Sequence, residues 1–179
     1  MQYREFKGKN LSLLGFGAMR LPVIDGDDAK VDVPQTMRMV EYAMEHGINY
    51  YDTAWGYHGE HSEEIMGEAL RRYPRDSYYI ADKFPGYDLA NMPKVKEIFE
   101  TQLQRMGLDF FDFYLLHSVC EMNIEQYLDP QYGIMDYLLA QKQPAACLHC
   151  GSCEQVCPQQ IKISDVMEDF VKVLGGQSE

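Results

Sequence analysis

Apolar positions along the chain follow two alternating patterns. Short apolar runs, "LSLLGFGAM", "INYYDTA", "SYYIADKF" and "DFFDFYLLH", read as β-strands. Between them lie stretches with helical spacing. In "VPQTMRMVEYAMEHG" Pro34 suits a first helical turn, Met37, Val40 and Met44 share a face, and Gly47 suits the stop. In "HSEEIMGEALRRYP" Ser62 is placed to cap, Glu63 and Glu64 lie in the first turn, Arg71 and Arg72 lie in the last, and Pro74 ends the helix. "NMPKVKEIFETQLQRMG" carries Val95, Phe99 and Leu103 at a spacing of four, with Gly107 as its stop. A fourth helical region breaks at Asp129-Pro130 and resumes at "GIMDYLLAQK".

Strands alternating with helices of this length predict right-handed βαβ units around a parallel sheet. Residues 1–143 supply four such units. A closed (β/α)8 barrel takes ~250 residues, so about half of one is expected. The fourth strand then lacks a fifth neighbour, and its hydrophobic edge predicts self-association, with two chains closing eight strands. After Pro144 comes a cysteine-rich segment, then "SDVMEDFVKVLGG", where Ser164 is placed to cap and Val166, Phe170 and Leu174 share a face.

Composition narrows the partners. The chain has 179 residues, 46% of them hydrophobic, and a net charge of −12. Such acidity repels phosphate backbones and argues against nucleic acid. No apolar run reaches the length of a membrane span, and the polar N-terminus "MQYREFKGKN" lacks a signal-peptide core. A cytoplasmic protein is expected.

Candidate chemistry sits at the strand ends. Asp52 closes "INYYD", Lys83 closes "YIADK" and His117 closes "FYLLH", while Tyr57 lies in the loop leaving the Asp52 strand. In a parallel βα fold these ends share one rim, where sites are built. Each residue alone has an ordinary reading as a solvated rim group, a core histidine or loop packing. Together they suit proton delivery to a carbonyl. A tyrosine hydroxyl is a weak acid, an adjacent ammonium stabilises its phenolate, a carboxylate holds the ammonium, and a histidine positions the substrate oxygen. Trp55, Tyr57 and Phe84 suggest an aromatic-lined pocket.

"YYDTAWGYHGEHSEEIMGEAL", "IADKF", "DFYLLH" and "GFGAMRLP" resemble the aldo/keto reductases over about residues 3–142. The resemblance implies a TIM barrel that reduces small carbonyl substrates with NADPH. It implies a catalytic tetrad of Asp52, Tyr57, Lys83 and His117, with Tyr57 as general acid. It also implies cofactor contacts from Gly17, Ala18, Met19 and Asp52. The family pattern departs between Lys142 and Pro144, where the later βα units, which supply most of the cofactor contacts, have no counterpart.

Four of the five cysteines, Cys147, Cys150, Cys153 and Cys157, are spaced C-x2-C-x2-C-x3-C, and Pro158 follows. This is the bacterial ferredoxin run for a [4Fe–4S] cluster. Zinc is the alternative, although its sites usually pair two C-x2-C units across a longer gap. The fourth ligand is either Cys157 folding back or another residue. Cys120, expected as a buried strand-end thiol, is a weak candidate. "CLHCGSCEQVCPQQIKISDVMEDF" resembles the ferredoxin-like segment that follows the barrel in some bacterial aldo/keto reductases. Residues 1–143 thus read as a half-barrel and 144–179 as a cluster segment. The implied function is an NADPH-dependent reductase with a cluster and a redox partner. The alternative is an iron–sulfur electron carrier or scaffold without reductase activity.

Overall fold

The structure, a computed structural model, describes residues 1–139, 162–166 and 168. The chain divides into two compact units, Met1–Tyr132 and Gly133–Glu179.

The first unit opens with an antiparallel hairpin, β1 (Tyr3–Phe6) and β2 (Lys9–Ser12). Its two-residue turn has positive φ at Lys7 (49°) and Gly8 (75°), the conformation that matches strand twist in tight hairpins. Periodicity alone leaves this segment as a polar terminus. Every residue of β1 is exposed, so no alternation marks it. Tertiary bonds hold it instead: Tyr3 donates to Gly47 O (2.9 Å), Ser12 N–H to Asn49 Oδ1 (2.8 Å), and Lys9 pairs with Asp112 (3.2 Å).

The four expected strands form one parallel sheet in the order β3 (Phe16–Gly17), β4 (Tyr50–Asp52), β5 (Tyr79–Phe84), β6 (Phe113–Leu116). Side chains alternate across it. Tyr51, Ile80, Asp82 and Phe84 take one face and are fully buried. Tyr51 and Ile80 join a core with Val40, Ala43, Met66, Ala69, Leu70 and Met106 of the helices. Asp52, Ala81, Lys83 and Leu115 take the other face, in register across the sheet. Lys83 does not close its strand, since β5 continues to Phe84, and Asp82 just before it is a buried carboxyl within the apolar run.

Helix α1 (Val33–Glu45) starts on Asp32, whose side chain accepts from Gln35 N–H (2.9 Å), with Pro34 in the first turn. Gly47 follows it at φ 82°. Helix α2 (Ser62–Leu70) corrects the expected cap. Ser62 is already helical and buried, and its hydroxyl pairs with Thr53 Oγ1 (2.9 Å). Arg71 is the residue after the helix rather than part of its last turn. A Cβ on Gly67 would meet Met106 O at 2.4 Å, so this glycine sets the close approach of α2 to α3. Helix α3 (Val95–Met106) ends at Gly107 in the left-handed region, φ 62°. Its buried stripe is Val95, Ile98, Gln102 and Met106, not Val95, Phe99 and Leu103. A short helix α4 (Ile124–Leu128) completes the unit.

In the second unit, α5 spans Ile134–Leu139 and residues 163–166 are helical, with Ile163 already helical before Ser164. Cys147, Cys150, Cys153 and Cys157 lie outside the described residues. Among the described residues, no helix is long and apolar enough to cross a membrane.

Candidate active site

Three neighbouring strands deliver Asp52, Lys83 and His117 to one end of the sheet. Asp52 is the last residue of β4 and Lys83 the fifth of β5. His117 follows β6, and its N–H donates to Phe84 O (3.0 Å). Tyr127 fixes that corner by donating to His117 O (3.0 Å) and Phe84 O (3.3 Å). Tyr57 arrives from the loop between β4 and α2.

The four sequence-predicted groups come together. Lys83 Nζ donates to Asp52 Oδ1 (2.5 Å), to Thr53 O (2.7 Å) and to Tyr57 Oη (3.2 Å). The lysine side chain is 12% exposed and the aspartate 25%, so water screens this pair only weakly. The Tyr57 and His117 rings meet edge to face at 5.9 Å between centroids, and Tyr87 packs on His117 the same way at 5.2 Å. Burial pushes the His117 imidazole below its usual pKa. The Lys83 ammonium acts in the same direction and Asp52 opposes. A neutral ring follows at neutral pH. Its Nδ1 is buried and has no hydrogen-bond partner among the described residues. The site therefore joins a phenol, a held ammonium and a neutral imidazole.

Gly17 is in register with Asp52 across β3 and β4. A Cβ built on it meets nothing within 4 Å, so open space lies beside the carboxylate. Ala18 is buried and Met19 is 56% exposed. The space beside Gly17 fits the flat, reacting end of a nicotinamide cofactor.

Two expectations need correction. Phe84 does not line the site. It is fully buried on the opposite face of β5, edge to face with Tyr127 at 6.0 Å. Tyr87 is the aromatic beside His117. Cys120 is exposed rather than buried, because it lies beyond the end of β6. Among the described residues no group of His, Cys, Asp or Glu is disposed to hold a metal ion.

Several residues with a part in this site carry no clear mark in the sequence. His58, 2% exposed, accepts from Leu21 N–H at Nε2 (3.0 Å) and faces Asp28 O at Nδ1 (2.9 Å), tying the Tyr57 loop to the loop after β3. Its positive φ (54°), with Gly59 and Glu60 following at 60° and 72°, turns the chain sharply there. The dense "GYHGEH" stretch is the available signal. Arg105 lies over Trp55 at 4.0 Å and pairs with Glu60 (2.7 Å) and Glu63 (2.9 Å). Glu63 is fully buried and also accepts from Gln102 Nε2 (2.8 Å). Burial raises its pKa, while bonds from Arg105 and Gln102 pull the other way.

The sequence profile of the aldo/keto reductase family matches residues 13–171. A probable aldo-keto reductase 1 from Glycine max is 31% identical over 121 residues, covering 63% of this chain and 34% of that protein. L-galactose dehydrogenase from Arabidopsis thaliana is 29% identical over 144 residues, covering 77% of this chain and 40% of that one. The holo form of an aldo-keto reductase from Bacillus halodurans superposes with a TM-score of 0.54 at 26% identity, covering 75% of this chain and 48% of its own. An aldo-keto reductase from Klebsiella pneumoniae in complex with NADPH shares the fold with a TM-score of 0.57 at 23% identity, covering 75% and 43%. The chain spans less than half the length of each of these four proteins.

Proposed function

The chain belongs to the aldo/keto reductase family of oxidoreductases, and we propose that it serves NADPH-dependent reduction of a small carbonyl compound through Asp52, Tyr57, Lys83 and His117. The observation that carries this reading is the Lys83 ammonium, held by Asp52 at 2.5 Å and lying 3.2 Å from the Tyr57 hydroxyl.

NADPH, when bound, supplies the hydride. Tyr57 holds the proton that the carbonyl oxygen receives. Lys83 stabilises the phenolate left behind, and Asp52 keeps the ammonium from swinging away. His117, neutral because burial disfavours its cation, hydrogen-bonds the substrate oxygen and fixes its position. Gly17, Ala18 and Met19, with Asp52, hold the nicotinamide end. Tyr87, Tyr57 and Trp55 form the aromatic surroundings of the substrate.

The same proposal covers the remainder of the chain. Residues 1–143 form the reductase half and 144–179 a cluster-binding segment. Cys147, Cys150, Cys153 and Cys157 supply four thiols with [4Fe–4S] spacing, a donor set that fits the cluster. Among the described residues β6 is an edge strand, which supports self-association through that edge. A cytoplasmic location fits the reducing conditions that the thiols need. The second reading, an electron carrier or scaffold without reductase activity, rests on the βα units that have no counterpart between Lys142 and Pro144, which in the family supply most of the cofactor contacts.

A fluorescence titration with NADPH on anaerobically reconstituted protein separates the two. Saturable binding, with consumption of NADPH on adding an aldehyde or ketone, supports the reductase. A cluster-loaded protein that neither binds NADPH nor consumes it supports the carrier.

A further inference from the structure

We propose that Asp82 and Gln102 are positioning residues for Lys83, standing in for strand β4 beyond the point where it ends. This rests on the reading of Lys83 as a working member of the site.

Each strand residue in a parallel ladder turns its N–H and C=O to one neighbour, and the next residue turns to the other. In β5, Tyr79 N–H reaches Asn49 O (2.7 Å) and Ala81 O receives Thr53 N–H (3.0 Å), so this alternate set faces β4. Ile80 and Phe84 belong to the other set: Ile80 O receives Asp112 N–H (3.0 Å) and Phe84 O receives His117 N–H (3.0 Å), both on the β6 side. Lys83 is the next residue facing β4. But β4 ends at Asp52, and its last register pair is Asp52 with Ala81. The peptide groups of Lys83 therefore look past the end of the neighbouring strand.

Two buried side chains take the place of that strand. Asp82 Oδ1 accepts the Lys83 N–H at 2.8 Å, and Gln102 Nε2 donates to the Lys83 carbonyl at 3.1 Å. Both residues are fully buried. The Gln102 amide cannot be reversed without loss. Its nitrogen donates to two acceptors, Lys83 O and Glu63 Oε1 (2.8 Å), and its oxygen accepts the Tyr114 hydroxyl. Glu63 is in turn anchored by Arg105 (2.9 Å). Lys83 is thus gripped at both ends, its backbone by Asp82 and Gln102 and its ammonium by Asp52 and Thr53 O. The bond from Nζ to the Tyr57 hydroxyl, 3.2 Å, is the longest of the three that Nζ makes among the described residues. It is the first to be lost if the backbone drifts, and misplacement on the ångström scale is what costs such sites their rate.

The test reads the lysine directly, so it requires neither NADPH nor turnover. Full-length protein is labelled with 15N at lysine Nζ, and the Lys83 signal is assigned by its loss in Lys83→Met. In Gln102→Leu the Lys83 ammonium should change shift and exchange its protons about tenfold faster or more, as bonds to it open. Ile98→Val, a core truncation on the same helix, should lower the melting temperature and leave that signal in place. Asp82→Leu should reproduce the change, while Asp82→Asn, which keeps the acceptor for Lys83 N–H, should restore the parent signal. An unmoved Lys83 signal in both leucine variants overturns the proposal. If the leucine variants do not fold, hydrogen exchange in the parent decides. Slow exchange at Lys83 N–H and at the Gln102 side-chain amide supports it, and rapid exchange at both overturns it.

Discussion

Replacing Asp82 by asparagine should stabilise the protein at neutral pH, which is unusual for a change in a buried strand. The carboxyl is fully buried, and only one of its oxygens has a partner among the described residues. Burial pushes its pKa well above the usual carboxylate range. The charge of Glu63 adds to this, and Lys83 only partly offsets it. The folded state then holds a proton that the unfolded chain gives up above about pH 4. Where the folded protein binds more protons, stability falls as pH rises. The loss runs from the unfolded pKa up to the raised folded one. Each pH unit in that window costs ~1.4 kcal/mol, so from pH ~4 to 7 the penalty cannot exceed about 4 kcal/mol. Asparagine removes it and keeps the oxygen that accepts from Lys83 N–H. Against that, its amide nitrogen enters a position with no acceptor among the described residues, which costs ~1–3 kcal/mol. The net gain near neutral pH is therefore at most about 1–3 kcal/mol, or up to roughly 12 °C in melting temperature for a chain of this size. Near pH 4 the advantage should vanish or reverse. Urea denaturation of parent and variant across that pH range measures both. If Asp82→Asn loses stability equally at both ends of the range, the carboxylate is a satisfied ion and the reasoning fails.

Other outcomes follow from the same geometry. Arg105→Met leaves Glu63 buried without its cation and should cost about 3–5 kcal/mol by denaturant titration. The loss should shrink toward acid pH, because Glu63, whose pKa is already raised, can then take up a proton. Tyr57→Phe should abolish carbonyl reduction and leave NADPH affinity near that of the parent, read by steady-state kinetics and fluorescence titration; strong residual turnover would move the proton donor elsewhere. Lys83→Met should cut the rate and also change the shape of its pH profile, whereas His117 substitutions should act mainly on KM. Protein purified without oxygen should carry about four irons per chain, and Cys150→Ser should bleach it; stoichiometric zinc without iron would exclude the cluster.

The parts of this fold legible in the sequence are those where one physical signal acts alone. Gly47 and Gly107 mark the ends of α1 and α3 because both take positive φ, which few other residues tolerate. The strand-end polar residues can be grouped from the sequence alone, because successive strands of a parallel sheet end at the same rim. The hairpin β1–β2 is not legible, since its first strand is exposed throughout and its stability comes from contacts with Asn49, Gly47 and Asp112. Phe84 reads as a site residue because it is adjacent to Lys83 in sequence. Adjacency in a strand instead places two side chains on opposite faces.

Gln102, Glu63 and Asp82 are hidden for a different reason. Patterning sorts positions by polarity, so a polar residue within a helical or strand pattern is assigned to solvent. Here the buried stripe of α3 contains Gln102, and displacing it by one position yields the incorrect Phe99–Leu103 face. What would find these residues is a count of backbone partners. β5 runs two residues beyond Asp82, three beyond its last register pair with β4 at Ala81, counting through to Phe84. A strand longer than its neighbour exposes N–H and C=O groups on the short side, and if helices cover that side the groups must be satisfied from the helix layer or from within the strand itself. Unequal strand lengths therefore call for polar side chains in an otherwise apolar interface. In this chain that demand falls on Lys83, so the residues that complete the sheet are also those that hold the lysine beside Tyr57.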